Sequence, residues 1–205
     1  MERTLNGKTY WLVGASFGIG AALARELDKR GAGLVLSGRS EERLKEVTKT
    51  LSKPARINPC DVTDSQSVAR ATSELGEIDG AIYMAGDYEP MTAAEWDSSR
   101  SLRIADVNFN GALRVFGAVV PGFAKRDRGH IVVVGSLAGF TGLPGAIGYG
   151  SSKAAVMQLA RDMRADLKTT GVRVQLVNPG FVDTRLTRKN SFRMPFIMDD
   201  QKAAR

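Results

Sequence analysis

A short apolar run, Thr9 to Val13, leads directly into Gly14-Ala15-Ser16-Phe17-Gly18-Ile19-Gly20 and then into a helical pattern from Ile19 to Arg30. No other feature of the chain restricts its fold as much. A buried strand, a glycine-rich turn and an amphipathic helix in immediate succession form the opening of a βαβ unit. In such a unit Gly14 permits the tight turn, Gly18 lets backbone approach a pyrophosphate, and Gly20 lets the helix pack closely on the sheet. The helix N-terminus offers free N–H groups and a positive dipole end to an anion. The spacing is G-x-x-x-G-x-G, not the commoner G-x-G-x-x-G.

The same alternation continues along the chain. Gly31 ends the first helix, Gly33 to Ser37 reads as a second strand, and Glu41 to Leu51 as a second, charged helix. Ala55 to Cys60 is a third strand, and Asp64 is placed to cap a helix running to about Leu75. Ile78 to Met84 is the fourth strand, followed by a long helical region from about Ser101 to Lys125. His130 to Val134 is the most apolar strand, Tyr149 to Thr169 an amphipathic helix, and Val172 to Val177 a sixth strand that stops at Asn178-Pro179-Gly180. Strands spaced by helices of this length predict right-handed crossovers and a parallel sheet covered on both faces. The expected fold is α/β, a Rossmann-like doubly wound sheet forming one domain over residues 1–205. After Pro195 the sequence opens another helix and stops, so the last strand of such a sheet is expected to be missing.

Composition narrows the chemistry. One cysteine, Cys60, and one histidine, His130, leave no disulfide framework, no cluster for a structural zinc and almost no room for a histidine-based triad, so no metal is expected. The net charge of +7 raises nucleic acid and membrane surfaces as partners. The basic residues are scattered, however, except for Arg185, Arg188, Lys189 and Arg193, and the expectation is a basic surface suited to an anionic cofactor, with neither nucleic acid nor membrane bound. No apolar run approaches the roughly 20 residues of a membrane span. Met1 to Lys8 lacks the apolar core of a signal peptide, so a cytoplasmic protein is expected.

Two places carry candidate chemistry. The second strand ends at Ser37-Gly38-Arg39, where a carboxylate would bond a ribose hydroxyl and repel a 2′-phosphate; an arginine there favours the phosphate, hence NADP(H) over NAD(H). Tyr149-Gly150-Ser151-Ser152-Lys153 sets a phenol and an ammonium four residues apart on one helical face. A nearby ammonium favours phenolate and is expected to lower the phenol from its usual value of about 10, as a proton donor to a carbonyl requires. Taken alone, such a pair is more often surface packing. Ser136, however, closes the most apolar strand, where ligands of open parallel sheets sit, and Asn108 in the long helix has an amide free for a backbone group or a water.

With these motifs in this order, the chain resembles the short-chain dehydrogenase/reductase family, in its compact single-domain branch, over residues 6 to 205. The resemblance rests on GASFGIG, Cys60-Asp61-Val62, Ala85-Gly86 after strand four, Asn108 in VNFNG, Ser136, the Y-x-x-x-K pair, and Asn178-Pro179-Gly180 with Thr184. It implies an NADP(H)-preferring oxidoreductase that interconverts a carbonyl and an alcohol. Tyr149 would be general acid in reduction and base in oxidation, Lys153 would lower its pKa and hold the nicotinamide ribose, Ser136 would orient the substrate oxygen, and Asn108 would hold a water relaying protons to Lys153. The cofactor would lie on Gly14, Ser16, Phe17, Gly18, Ile19, Gly20, Arg39, Ala85 and Gly86. Asp61 and Val62 would flank its adenine, and Pro179, Gly180, Val182 and Thr184 would cover its nicotinamide.

The chain departs from the family pattern at several positions. Val13 stands where the family usually has Thr, and Tyr83-Met84 where it has Asn-Asn; these sites are neighbours in the fold, and a small effect on stability is expected rather than lost catalysis. Phe17 stands where NADP-preferring members often carry a basic residue, leaving the phosphate to Arg39, alone or with Ser16 and Arg43. Family members continue through a further helix and a seventh strand, so the sheet edge is expected to be open. A flap over residues 183–199, carrying Phe192, Met194, Phe196, Ile197 and Met198, points to a fairly apolar carbonyl or alcohol, unless these side chains pack on the body. Leu143, Pro144 and Ile147 are expected in the same pocket; no carboxylate-binding arginine is evident, though Arg185 and Arg188 could serve one. Family analogy suggests a homodimer or homotetramer. The alternative is a non-catalytic NADP(H)-binding sensor or interaction protein on the same fold.

Overall fold

The computed structural model describes residues 5–205; Met1 to Thr4, which begin both the assessed leader and the expected domain, lie outside the described residues. Strand β1 (Thr9–Val13) shows how the chain builds two buried faces at once. Its side chains alternate, so Trp11 and Val13 enter one core layer while Tyr10 and Leu12 enter the other. Helix α1 (Gly18–Lys29) follows, then β2 (Gly33–Ser37) and α2 (Glu41–Thr48), capped by the Ser40 hydroxyl on the Arg43 N–H. Strand β3 (Arg56–Ile57) is shorter than the expected Ala55 to Cys60, because Pro59 has no N–H to give to a ladder. Asp64 caps α3 (Ser65–Ser73) by accepting the Gln66 N–H at 2.8 Å, and β4 (Gly80–Tyr83) follows.

The long helical region is not one regular helix. It comprises α4 (Ser98–Ala105), a π-helical turn over Asp106–Asn110, and α5 (Gly111–Lys125), with the Gly111 N–H bonded back to the Asp106 carbonyl. The wider turn carries Asn108, which is fully buried. Strand β5 (Gly129–Val134), helix α6 (Ile147–Asp166), strand β6 (Val172–Val177) and the short α7 (Asp200–Ala204) complete the order.

All pairings are parallel, in the order β3-β2-β1-β4-β5-β6. One layer of core packs Trp11, Val35, Tyr83 and Val133 against Val115, Phe116 and Phe123 of α5 and Val156 and Ala160 of α6. The other packs Leu12, Leu34, Leu36 and Val132 against Ala21, Ala24 and Leu27 of α1 and Leu44 and Val47 of α2. The sheet is thus doubly wound, and its chain order reverses between β1 and β4, the crevice where such sheets bind ligands. Val13 pairs with Tyr83, and the Met84 N–H bonds the Val13 carbonyl at 2.8 Å, so the two apolar departures from the family pattern are indeed neighbours.

Beyond β6 the chain runs out and returns to its starting point. Val182 and Met198 form a parallel bridge, with the Asp183 N–H on the Met198 carbonyl at 2.8 Å and the Met198 N–H on the Phe181 carbonyl at 3.0 Å. Helix α7 then packs against α1. Among the described residues no helix is long and apolar enough to cross a membrane.

Candidate active site

The turns after β1, β2, β4, β5 and β6 all open on the same edge of the sheet, because the strands are parallel. Gly14 is at φ +97°, and a Cβ there would meet the backbone of Met84 and Ala85, so the turn after β1 lies directly on the turn after β4. A Cβ on Gly20 would run into the Gly14 carbonyl, which is how α1 starts so close to the sheet. The Ser16 hydroxyl sits against Gly38 after β2, beside the exposed Arg39, and Ile19 is partly buried in the first turn of α1. Thr184 sits against Gly18, its Cγ2 3.1 Å from where a Cβ would stand.

Phe17 has a setting the sequence did not announce. The Arg43 guanidinium lies 4.0 Å from the centre of its ring and that of Arg185 lies 4.6 Å away. Neither arginine, nor Arg39, forms an ion pair with a described carboxylate, whereas Arg188 pairs with Asp183 at 2.8 Å. Of the two arginines that could serve a substrate carboxylate, Arg185 is stacked on Phe17 of the glycine-rich turn and Arg188 is paired on its own segment.

Asp61 accepts the Thr63 N–H at 3.0 Å and the Thr63 hydroxyl at 2.8 Å. Val62 is buried in the core, and its carbonyl accepts from Arg114 at 3.0 Å. Ala85 and Gly86 are half-buried beside Asn108. After β6, Pro179 and Gly180 lead to Val182, which is buried at the bridge, and to Thr184, whose N–H bonds the Thr187 hydroxyl.

Tyr149 and Lys153 lie on the first two turns of α6. Lys153 is only 5% exposed; its Nζ donates to the Val134 carbonyl at the end of β5 at 3.0 Å and lies 5.8 Å from the centre of the Tyr149 ring. Burial pulls this ammonium down to about 8. Burial also raises the Tyr149 phenol above its ordinary value, with the Ser136 hydroxyl opposing the rise. The expected lowering of the phenol by its neighbouring ammonium is thus corrected: desolvation dominates, and the ammonium is directed at a carbonyl. Ser136 accepts the Ala138 N–H on its Oγ at 3.2 Å, which leaves its own proton to donate.

Asn108 spends its amide within the protein. Its Nδ2 donates to the Asp87 carbonyl at 3.0 Å and to the Ser152 Oγ at 2.9 Å, and its Oδ1 accepts the Asp87 N–H at 2.7 Å. Ser152 passes its proton to the Tyr149 carbonyl at 2.8 Å. Both amide hydrogens being used, the side chain does not hold a relay water through them. Ser152, unmarked in sequence beyond its place in Y-x-x-x-K, connects Asn108 to the first turn of α6.

The segment expected to cover the site leaves several apolar side chains in solvent. Phe196 is 96% exposed at φ +56°, Phe192 packs edge-on to Phe181 while half exposed, and Ile197 is exposed, so these residues do not pack into the body. Leu143 and Ile147 line a separate hollow of about 340 Å³ with Ala138, Phe140 and Ala154, and neither Ser136 nor Tyr149 borders it. Ile147, Gly150, Ser151 and Ala154 present one flank of α6 to this hollow.

The sequence matches the model of a family described as short chain dehydrogenase over residues 8–194. An uncharacterized oxidoreductase of Myxococcus xanthus is 36% identical over 203 residues, covering 96% of this chain and 80% of that protein. Among solved structures, a short chain dehydrogenase/reductase family protein superposes with a TM-score of 0.92 at 28% identity, over 98% of this chain and 87% of its own. A serine dehydrogenase in its closed form with NADP+ superposes with a TM-score of 0.88 at 26% identity, over 96% of this chain and 86% of its own.

Proposed function

The chain belongs to the short-chain dehydrogenase family and is a dehydrogenase/reductase, and on that premise we propose that it interconverts a carbonyl and an alcohol with NADP(H). The observation that carries the reading is the Tyr149–Lys153 pair on α6, with a buried ammonium tied to the end of β5 and a phenol, raised by burial, that meets the Ser136 hydroxyl. A dinucleotide reading of the glycine-rich turn is supported by its backbone packing, which brings Gly14 onto the turn after β4 and the start of α1 close to the sheet. Phosphate preference is supported by Arg39, Arg43 and Arg185, three guanidiniums near that turn without carboxylate partners among the described residues. The NADP+ complex of the serine dehydrogenase points the same way.

When bound, the nicotinamide supplies or takes up the hydride at the substrate carbon. Ser136 donates its proton to the substrate oxygen and fixes it near the phenol. Tyr149, held protonated by burial, gives its proton to that oxygen in reduction and takes it back, as phenolate, in oxidation. The Lys153 ammonium stabilises the phenolate that reduction leaves behind and holds the nicotinamide ribose. Asn108 acts as a positioning residue, fixing Asp87 and, through Ser152, the first turn of α6. The exposed Phe192, Phe196 and Ile197 suit a fairly apolar substrate beneath the 183–199 segment, and the protein is read as a cytoplasmic homo-oligomer. Calorimetric titration with NADPH and NADH, followed by a panel of apolar ketones and aldehydes, tests this. Tighter binding of NADPH with oxidation of it by a member of the panel is the expected result; binding of neither cofactor overturns the proposal.

A further inference from the structure

Tyr88, in the loop between β4 and α4, has no part in the mechanism above, yet three contacts with distant residues converge on it. Its side chain is buried, and its ring meets that of Tyr149 edge-on, with centroids 5.0 Å apart and planes at 70°. Its hydroxyl donates to the Asn190 Oδ1 at 2.5 Å, across 102 residues of sequence. Its carbonyl accepts from the Lys189 ammonium at 2.7 Å, and the same ammonium pairs with Glu89 at 2.9 Å. Asn190 in turn donates to the Met194 sulfur at 3.4 Å. The segment from Lys189 to Met194 is therefore docked on a residue whose ring abuts the phenol.

The other side of this loop has little slack. Asn108 holds both the N–H and the carbonyl of Asp87, and Arg103 bonds the Asp87 carboxylate at 2.7 Å. Asp87 is thereby fixed, and Tyr88, next to it in the chain, is the residue in contact with both Asn190 and the Tyr149 ring. The cofactor-facing contacts of the segment, Thr184 on Gly18 and Arg185 on Phe17, are at its other end.

We propose that Tyr88 latches the 183–199 segment shut through Asn190 and is a positioning residue for Tyr149. Substrate enters beneath the segment only when the latch opens, so the latch contributes to substrate binding and not to cofactor binding. The positioning half of this inference rests on the dehydrogenase reading; the latch does not.

The test compares Tyr88→Phe, which keeps the ring, Asn190→Ala, their double variant, and Tyr88→Leu, which loses the ring. Two readouts are used: the rate of trypsin cleavage after Lys189 and Arg193, which needs no turnover, and steady-state kinetics with NADPH and a ketone. Tyr88→Phe and Asn190→Ala are each expected to speed cleavage and raise the ketone KM about fivefold, the weight of one neutral hydrogen bond, with kcat and NADPH affinity held. The double variant is expected to match the singles, because both remove one interaction. Tyr88→Leu is expected in addition to lower kcat and move the pH profile of kcat. Unchanged cleavage in Tyr88→Phe, or additive effects in the double variant, overturns the latch, and an unmoved pH profile in Tyr88→Leu overturns the positioning role. Absence of hydride transfer in the parent protein defeats the dehydrogenase reading, while the cleavage rates still decide the latch.

Discussion

The Arg43 guanidinium rests 4.0 Å from the centre of the Phe17 ring. Phe17 thus gathers charge although its own side chain carries none, and Arg185 meets the same ring from the far end of the chain. Replacing the ring by Phe17→Ala should release both guanidiniums and weaken NADPH binding about tenfold, the scale of one charge-assisted bond to phosphate, while NADH stays within twofold. Calorimetry with the two cofactors separates this from simple loss of packing, which would weaken both alike. Arg39→Asp should go further and reverse the preference.

Tyr149→Phe removes one hydroxyl and little volume. Turnover should fall by about 10²–10⁴, the usual contribution of a positioned proton donor, with cofactor affinity within twofold of the parent. Parental turnover in this variant would falsify the assignment of the phenol.

Lys153 is pulled from 10.5 down to about 8 by burial, so it is a cation below that pH and neutral above it. Charge at Lys153 stabilises the phenolate left by reduction, and ketone reduction should therefore decline as pH rises through about 8. Lys153→Met should flatten that limb and reduce the rate at every pH. A decline that begins only near pH 10 would show that the ammonium is not the group being titrated.

Asn108→Ala should unfold the protein more easily by about 2–4 kcal/mol, because the Asp87 N–H and carbonyl lose their partner in a site with no exposure. For a chain of this size that is roughly 4–16 °C in Tm. Thermal melts of the variant and of Ser152→Ala, which loses only one of the three bonds, provide the comparison; equal and small losses would mean that the π-helical turn readjusts.

His130 lies at the opposite edge of the sheet, where burial first and the Arg173 charge second lower it from 6.5 to about 4. Its ring receives the Tyr10 hydroxyl at 3.0 Å and faces the Gln175 side chain at 3.2 Å. Between those two values the unfolded chain binds a proton that the folded protein does not, so stability falls as pH drops from about 6.5 toward 4. Denaturant midpoints for His130→Gln should show a shallower fall over that window; an identical fall would assign the acid limb to other groups.

The strands and their order of helices were legible because each strand places successive side chains in opposite core layers, as Trp11 and Leu12 do, and because Gly14 and Gly20 occupy a fixed place after the first of them. The Tyr149–Lys153 spacing was legible for the same reason, being a property of one helix. What was not legible depends on pairs remote in sequence. Asp-Tyr-Glu after β4 has no period and no motif, and the Tyr88 hydroxyl finds Asn190 only once the sheet has formed. The π-helical turn escaped because one extra residue in a turn leaves the apolar spacing of α4 and α5 almost unchanged. Burial reversed the expected shift of the Tyr149 phenol, since spacing along a helix gives proximity but not dielectric.

The parallel bridge between Val182 and Met198 brings the two ends of the intervening stretch to one place. The strands, the core and α7 are joined to each other across that closure and do not pass through the residues it encloses. Such a stretch behaves as a cassette: the entropic cost of a longer or shorter insert grows only with the logarithm of its length. New substrate preferences can therefore be sought by exchanging the stretch between the bridge residues, provided that Thr184 and Arg185 on the glycine-rich turn and Asn190 on Tyr88 are kept.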